Sequence, residues 1–152
     1  MIDASGLATL GGALALAGGL VGSAIGIAIA ASGGLATLSE DPRQFRNVII
    51  LASLPMTQSF YGLIALILIL TSVLPVEGSD GFKALGICLV AASAFAASAI
   101  YQGMVCASGI AMLPKTGGRI LTSSMMLAVF VELIAVLALV FTIMAWTLLG
   151  LM

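Results

Sequence analysis

The sequence predicts an all-α transmembrane fold, four helices arranged as two tandem hairpins that assemble into a closed homo-oligomer. Three observations predict it. Of 152 residues, 62% are hydrophobic and 7% charged, where a soluble domain averages about 25% charged. The 5 basic and 6 acidic residues leave uncharged stretches at 4–39, 47–76 and 84–114, and the tail 120–152 holds Glu132 alone. Each stretch exceeds the roughly 20 apolar residues that cross a bilayer core. The connections between them are short and polar, so consecutive spans run antiparallel.

The first helix is expected over about residues 5–38. It is not read as a cleaved signal peptide, because Asp3 stands where a basic region belongs and the apolar run is far too long. SEDPRQFR, residues 39–46, makes a polar turn into a second helix over about 47–74. PVEGSDGFK, residues 75–83, leads into a third over about 82–112. LPKTGGR, residues 113–119, leads into a fourth over about 119–150. The first hairpin thus covers residues 1–76 and the second 77–152. Ala31-Ser32-Gly33 and Ala107-Ser108-Gly109 lie 76 residues apart near the ends of the first and third spans, which suggests a tandem repeat. The same offset sets Met56 opposite Glu132, so one repeat has a carboxylate and the other lacks it.

Spans one and three are crowded with small residues, and spans two and four with Leu, Ile, Val and Phe. Lipid gives no hydrophobic drive for helix association, so small residues mark close helix–helix contacts. Spans one and three are therefore expected as an inner layer, with two and four facing lipid. Gly18, Gly22 and Gly26, spaced by four on one helix face, are assigned to ring packing. Heterologous contacts that rotate into closure make rings, which buries the small-residue faces that two hairpins alone leave open. Arg43, Arg46, Lys115 and Arg119 share one side of the membrane and Lys83 stands alone on the other. The positive-inside rule sets loops 39–46 and 113–119 in the cytoplasm and both termini outside.

Glu132 lies near the middle of span four, within LAVFVELIAVLAL. A charge at the bilayer centre costs roughly 2.5–3.5 kcal/mol on insertion scales, so an intramembrane acid is read first as functional and only second as a packing accident. Span two offers LPMTQSFYG, in which Pro55 cannot donate to the Leu51 carbonyl and perturbs the helix. Thr57, Gln58 and Tyr61 share one helical face there, and Gln102 is a buried amide in span three. Each can serve as interhelical glue. Together with Glu132 they form an oxygen-rich cage of the kind hard cations prefer. A monovalent cation beside one carboxylate is net neutral, which lowers the burial penalty.

Other chemistry is not supported. With no His, and with Cys88 and Cys106 eighteen residues apart on one helix, zinc sites, nucleophilic triads and an intrachain disulfide find no residues. The cysteines read as small buried hydrophobes. No GxxxxGK[ST] loop is present to cradle a nucleotide, and a net charge of −1 without a basic patch does not point to nucleic acid.

The chain resembles the proteolipid rotor subunit (c or K subunit) of V-type ATPases in its duplicated four-helix form. The resemblance covers nearly the whole chain and rests on the Gly-rich first helix, LPMTQSFYG, IYQG and the span-four glutamate. It implies a ring of copies in the membrane, with Na⁺ held by the Leu54 carbonyl, Thr57, Gln58, Gln102 and Glu132, and with Tyr61 locking the site through a hydrogen bond to the glutamate. It implies ion exchange at a stator membrane subunit (a/I type) bearing an arginine, and coupling through central-stalk subunits to an ATP-hydrolysing head. A prokaryotic plasma membrane is the expected location. This chain itself would be a non-hydrolytic transport subunit. Leu133 departs from sodium-type members that have Thr directly after the glutamate. A rotor coupled to H⁺, or an unrelated helical channel or structural membrane oligomer, are the alternatives.

Overall fold

The computed structural model describes residues 3–152. Among them all regular secondary structure is helical, with four helical segments long and apolar enough to cross a membrane. Helix α1, Ala4–Glu40, starts where the Asp3 carboxylate accepts from the Gly6 amide at 2.9 Å, satisfying a backbone donor that the first turn leaves free. Its 37 residues span about 56 Å at 1.5 Å per residue, well beyond a ~30 Å hydrocarbon core. Asp41, in extended backbone, ends α1 and caps a 3₁₀ turn, Pro42–Gln44. The Gln44 amide and then the Arg43 guanidinium beside Asp41 hold its carboxyl below the usual carboxylate range.

The second span is not one regular helix. It runs as α2, Phe45–Ser53, a 3₁₀ turn, Leu54–Met56, and α3, Thr57–Leu68, and it ends in a widened π turn, Ile69–Val73. Pro55 causes the break, since it has no N–H to give to the preceding turn and its ring crowds the carbonyl four residues back. Ser5 ties the following loop to α1, its hydroxyl bonding both the Val76 carbonyl and amide. Helix α4, Asp80–Ala111, continues almost directly into α5, Leu113–Thr116. Loop 113–119 is thus partly helical, with Leu113 fully buried, and it stops where Gly117 adopts a left-handed conformation at φ 58°. Helix α6, Leu121–Leu148, is the last span.

α1 and α4 lie side by side and parallel, with α3 against a neighbouring face of α1 and α6 against α4. The register is set by glycines. A Cβ on Gly18 would strike the Ala92 backbone, one on Gly22 the Ala96 backbone, and one on Gly26 the Ala99 carbonyl. Near the start of the seam Gly81 meets Ala4, and near its end the Thr37 hydroxyl donates to the Ile110 carbonyl at 3.1 Å. The expectation that Gly18, Gly22 and Gly26 pack one copy against another is corrected here. Within a single chain they are already used to bring α1 and α4 into backbone contact, which leaves no room on that face for a neighbour.

Large apolar side chains crowd the outward faces of α3 and α6, among them Phe60, Ile64, Phe130 and Phe141. These suit lipid, while Gln58, Ser98 and Gln102 are buried between α3, α4 and α6.

Candidate ion-binding site

Glu132 is the twelfth of the 28 residues of α6, which sets it within about 4 Å of the midpoint of that helix at 1.5 Å per residue. The residue is half-buried. The Tyr61 hydroxyl of α3 donates to Oε1 at 2.8 Å, and the Gln102 amide nitrogen of α4 donates to Oε2 at 3.2 Å. Two helices thus hold the carboxyl group of a third. The Tyr61 ring is itself held, lying tilted against the buried Phe95 ring with centroids 6.2 Å apart.

Behind the carboxylate lies a chain of amides. Gln58 and Gln102 are fully buried. Gln58 Nε2 donates to Gln102 Oε1 at 2.9 Å and to Ser98 Oγ at 3.2 Å. Thr57 Oγ1 stands 3.2 Å from Gln58 Oε1 and 3.3 Å from the Leu54 carbonyl oxygen. Thr57 also donates its backbone N–H to Leu54, closing the 3₁₀ turn that Pro55 begins. The Pro55 break therefore brings the Leu54 oxygen, the Thr57 hydroxyl and the Gln58 amide to one place. All six residues that the sequence singled out, Leu54, Thr57, Gln58, Tyr61, Gln102 and Glu132, belong to this one connected network.

Two details differ from the sequence expectation. Gln102 presents its nitrogen, not its oxygen, to Glu132, and also reaches the Ala128 carbonyl at 3.4 Å. The Leu54 carbonyl is engaged by Thr57 and is not a free oxygen. Sequence reasoning also missed two residues. Ser98 and Phe95, four and seven positions before Gln102, share its helical face and touch Gln58 and Tyr61. That spacing was the available signal, and it was masked because Ser98 reads as one more small residue in an alanine-rich span.

α1 supplies no polar group to the network, yet it sets the spacing from behind. A Cβ on Gly19 would meet the Gln58 carbonyl, and one on Gly26 would come within 2.8 Å of Pro55 Cβ. Cys88 and Cys106 are free, buried, and outside the network.

The sequence profile of the ATP synthase C subunit matches residues 10–69 and again residues 85–145. The chain belongs to the ATP synthase C-subunit family. Members of this family are ring-forming, non-catalytic proteolipid subunits of rotary ATPases. Two relatives are similar over most of the chain. The A-type ATP synthase subunit K of Methanocaldococcus jannaschii is 32% identical over 144 residues, covering 95% of this chain and 63% of the relative. The V-type sodium ATPase subunit K of Enterococcus hirae is 34% identical over 125 residues, covering 79% of this chain and 77% of the relative. The chain thus spans less than two thirds of the Methanocaldococcus relative's length. As a C-subunit family protein it is an integral membrane chain.

Proposed function

We propose that this chain is a rotor subunit of a V/A-type rotary ATPase in which Glu132 carries Na⁺ across the membrane as the ring turns. One carboxylate and the oxygens of Leu54, Thr57, Gln58 and Gln102 gather at membrane depth within a single chain, and this gathering carries the reading. The donor set fits the cargo chemically, since all are hard oxygen ligands and one negative charge balances one monovalent cation. Gln102 has to turn its amide over so that Oε1 replaces Nε2 toward the carboxylate, and the Thr57 hydroxyl has to release the Leu54 carbonyl oxygen. Similarity to the Enterococcus hirae protein, a sodium ATPase subunit, supports the same ion.

The partners follow from the role. Copies of this chain close into a ring, a stator subunit of the a/I type brings an arginine to the carboxylate, and central-stalk subunits couple rotation to ATP hydrolysis elsewhere. Two hairpins, residues 1–76 and 77–152, constitute a duplication; the parallel pairing of α1 with α4 and the twofold profile match support it. One carboxylate per four helices lowers the number of ions moved per turn, a gearing that suits pumping. Loops 39–46 and 113–119 face the cytoplasm of a prokaryotic cell. An amine reagent that cannot cross the membrane should label Lys83 and spare Lys115 in intact cells; the opposite pattern reverses the orientation.

Coupling to H⁺ is the second reading, and one observation favours it. The carboxylate already receives two donors, from Tyr61 and Gln102, and proton transport requires no further oxygen ligand. A carbodiimide that labels Glu132 separates the two. Under the sodium reading, millimolar or lower Na⁺ at fixed alkaline pH protects Glu132 from labelling. Absence of that protection leaves the proton reading standing.

A further inference from the structure

We propose that Ser98 is a positioning residue of the ion site, fixing the Gln58 amide so that its oxygen, and not its nitrogen, is turned to the cation. The inference rests on the sodium reading and names a group that reading does not include. The two ends of an amide are nearly the same size, so packing alone does not decide which end faces which neighbour. Hydrogen-bond polarity decides it.

Ser98 lies on α4, one turn before Gln102, and is 3% exposed. Its hydroxyl donates to the carbonyl of Val131 in α6 at 2.9 Å. With its one proton used there, Ser98 can only accept from Gln58, and Gln58 Nε2 stands 3.2 Å away in that role. Gln58 has two amide protons. One goes to Ser98 and the other to Gln102 Oε1 at 2.9 Å. Both protons being directed toward α4, Oε1 is left on the Thr57 and Leu54 side, 3.2 Å from the Thr57 hydroxyl.

Cation binding makes Ser98 more important. When the Gln102 amide turns its oxygen toward the ion, Gln58 loses that acceptor. Ser98 is then the remaining partner among the described residues that holds the Gln58 nitrogen away from the cation.

The test uses the assembled ring purified in detergent, with Na⁺ protection of carbodiimide labelling at Glu132 as the readout. Ser98→Ala removes one oxygen and is expected to raise the Na⁺ concentration for half-protection roughly tenfold, the scale of one lost neutral hydrogen bond. The same change in a Gln58→Leu ring is expected to add less than about twofold, since a residue that acts through Gln58 has nothing left to orient. Additive effects overturn the proposal, and so does a Ser98→Ala ring with wild-type half-protection. A Ser98→Ala chain that does not assemble overturns it too, by making the role structural. A wild-type ring that Na⁺ does not protect removes the sodium reading and this proposal together. A protected wild type with an unaffected variant removes only this proposal.

Discussion

Gly103→Ala tests whether the glycine seam sets the geometry of the ion site. Gly103 directly follows Gln102 on α4 and faces the backbone of α1. A Cβ at this position would lie 2.5 Å from Gly26 Cα and 2.7 Å from the Gly26 carbonyl carbon. Carbon atoms in ordinary contact stand about 3.5–4.0 Å apart, so α1 and α4 must separate by roughly 1 Å at this level. Overpacking of that kind costs about 1–3 kcal/mol. The site feels the same displacement, because α1 buttresses α3 at Gln58 through Gly19, while Gln102 moves with α4. A shift near 1 Å takes the 2.9 Å bond from Gln58 to Gln102 beyond hydrogen-bonding range. The expected result is a ring that unfolds several degrees lower (roughly 2–4 °C per kcal/mol at this chain size) and needs on the order of tenfold more Na⁺ to protect Glu132. Gly33→Ala is the control in the same seam, where the nearest atoms, those of Ala107, would be 3.7 Å away in ordinary contact. Thermal melting of the detergent-solubilised ring and Na⁺ titration of carbodiimide labelling read both effects. Equal behaviour of Gly103→Ala and Gly33→Ala would refute the link between seam and site.

Gln58→Leu removes a fully buried amide and leaves Gln102 Oε1 without its donor, so Na⁺ affinity should fall about 10–100-fold by the same labelling titration, the scale of a lost bond to a charged group; Thr57→Val should fall by less. Glu132→Gln keeps the shape and removes the charge. It should abolish both carbodiimide labelling and ATP-driven Na⁺ uptake into vesicles, while the ring still assembles on a gel. Gly118→Ala acts far from the site: φ there is 84°, and a Cβ would lie 2.8 Å from Asn47 Nδ2 and 3.1 Å from Gln44 Oε1. Left-handed backbone costs a non-glycine residue about 1–2 kcal/mol, so the melting temperature should drop while Na⁺ protection stays unchanged.

The spans were legible because the bilayer imposes a coarse rule. Long uncharged stretches with polar turns between them have few other solutions, and the bounds of α1, α4 and α6 fall within a few residues of the stretches themselves. The site was legible because unusual chemistry stands out against an apolar background: one carboxylate, two amides and a proline inside a span. The rest depended on which neighbour each face meets. Gly18, Gly22 and Gly26 announce a close contact, but sequence does not say whether the partner is α4 of the same chain or another copy. Ser98 was hidden for a related reason. A serine among alanines satisfies the small-residue rule, and its hydroxyl acquires meaning only when Gln58 from α3 and Val131 from α6 arrive on either side. Gln102 was found, but the direction of its amide depends on bonds from two other helices and is not written in any local pattern.

The half-burial of Glu132 joins these features into a mechanism on the proposed reading. Toward α3 and α4 the carboxylate meets Tyr61 and Gln102, while its α6 neighbours Phe130, Leu133 and Ile134 are exposed apolar side chains that suit lipid. A bare carboxylate turned to that surface carries the penalty of roughly 2.5–3.5 kcal/mol for a charge at mid-membrane, whereas a carboxylate paired with a cation is net neutral. The chain can therefore travel past lipid with an ion bound, but it gives the ion up only where a compensating positive charge or water is supplied. Leu133 strengthens this restriction, since an apolar side chain next to the glutamate offers no alternative hydrogen bond to an emptied carboxylate. Release is thereby confined to the stator contact, and an ion bound on one side leaves only after the ring has moved. Replacing Leu133 with Thr gives the emptied carboxylate a nearby hydroxyl. It is expected to lessen the dependence of carbodiimide reactivity on Na⁺ without removing any of the proposed ligands, and unchanged Na⁺ dependence would count against this account of the lipid-facing side.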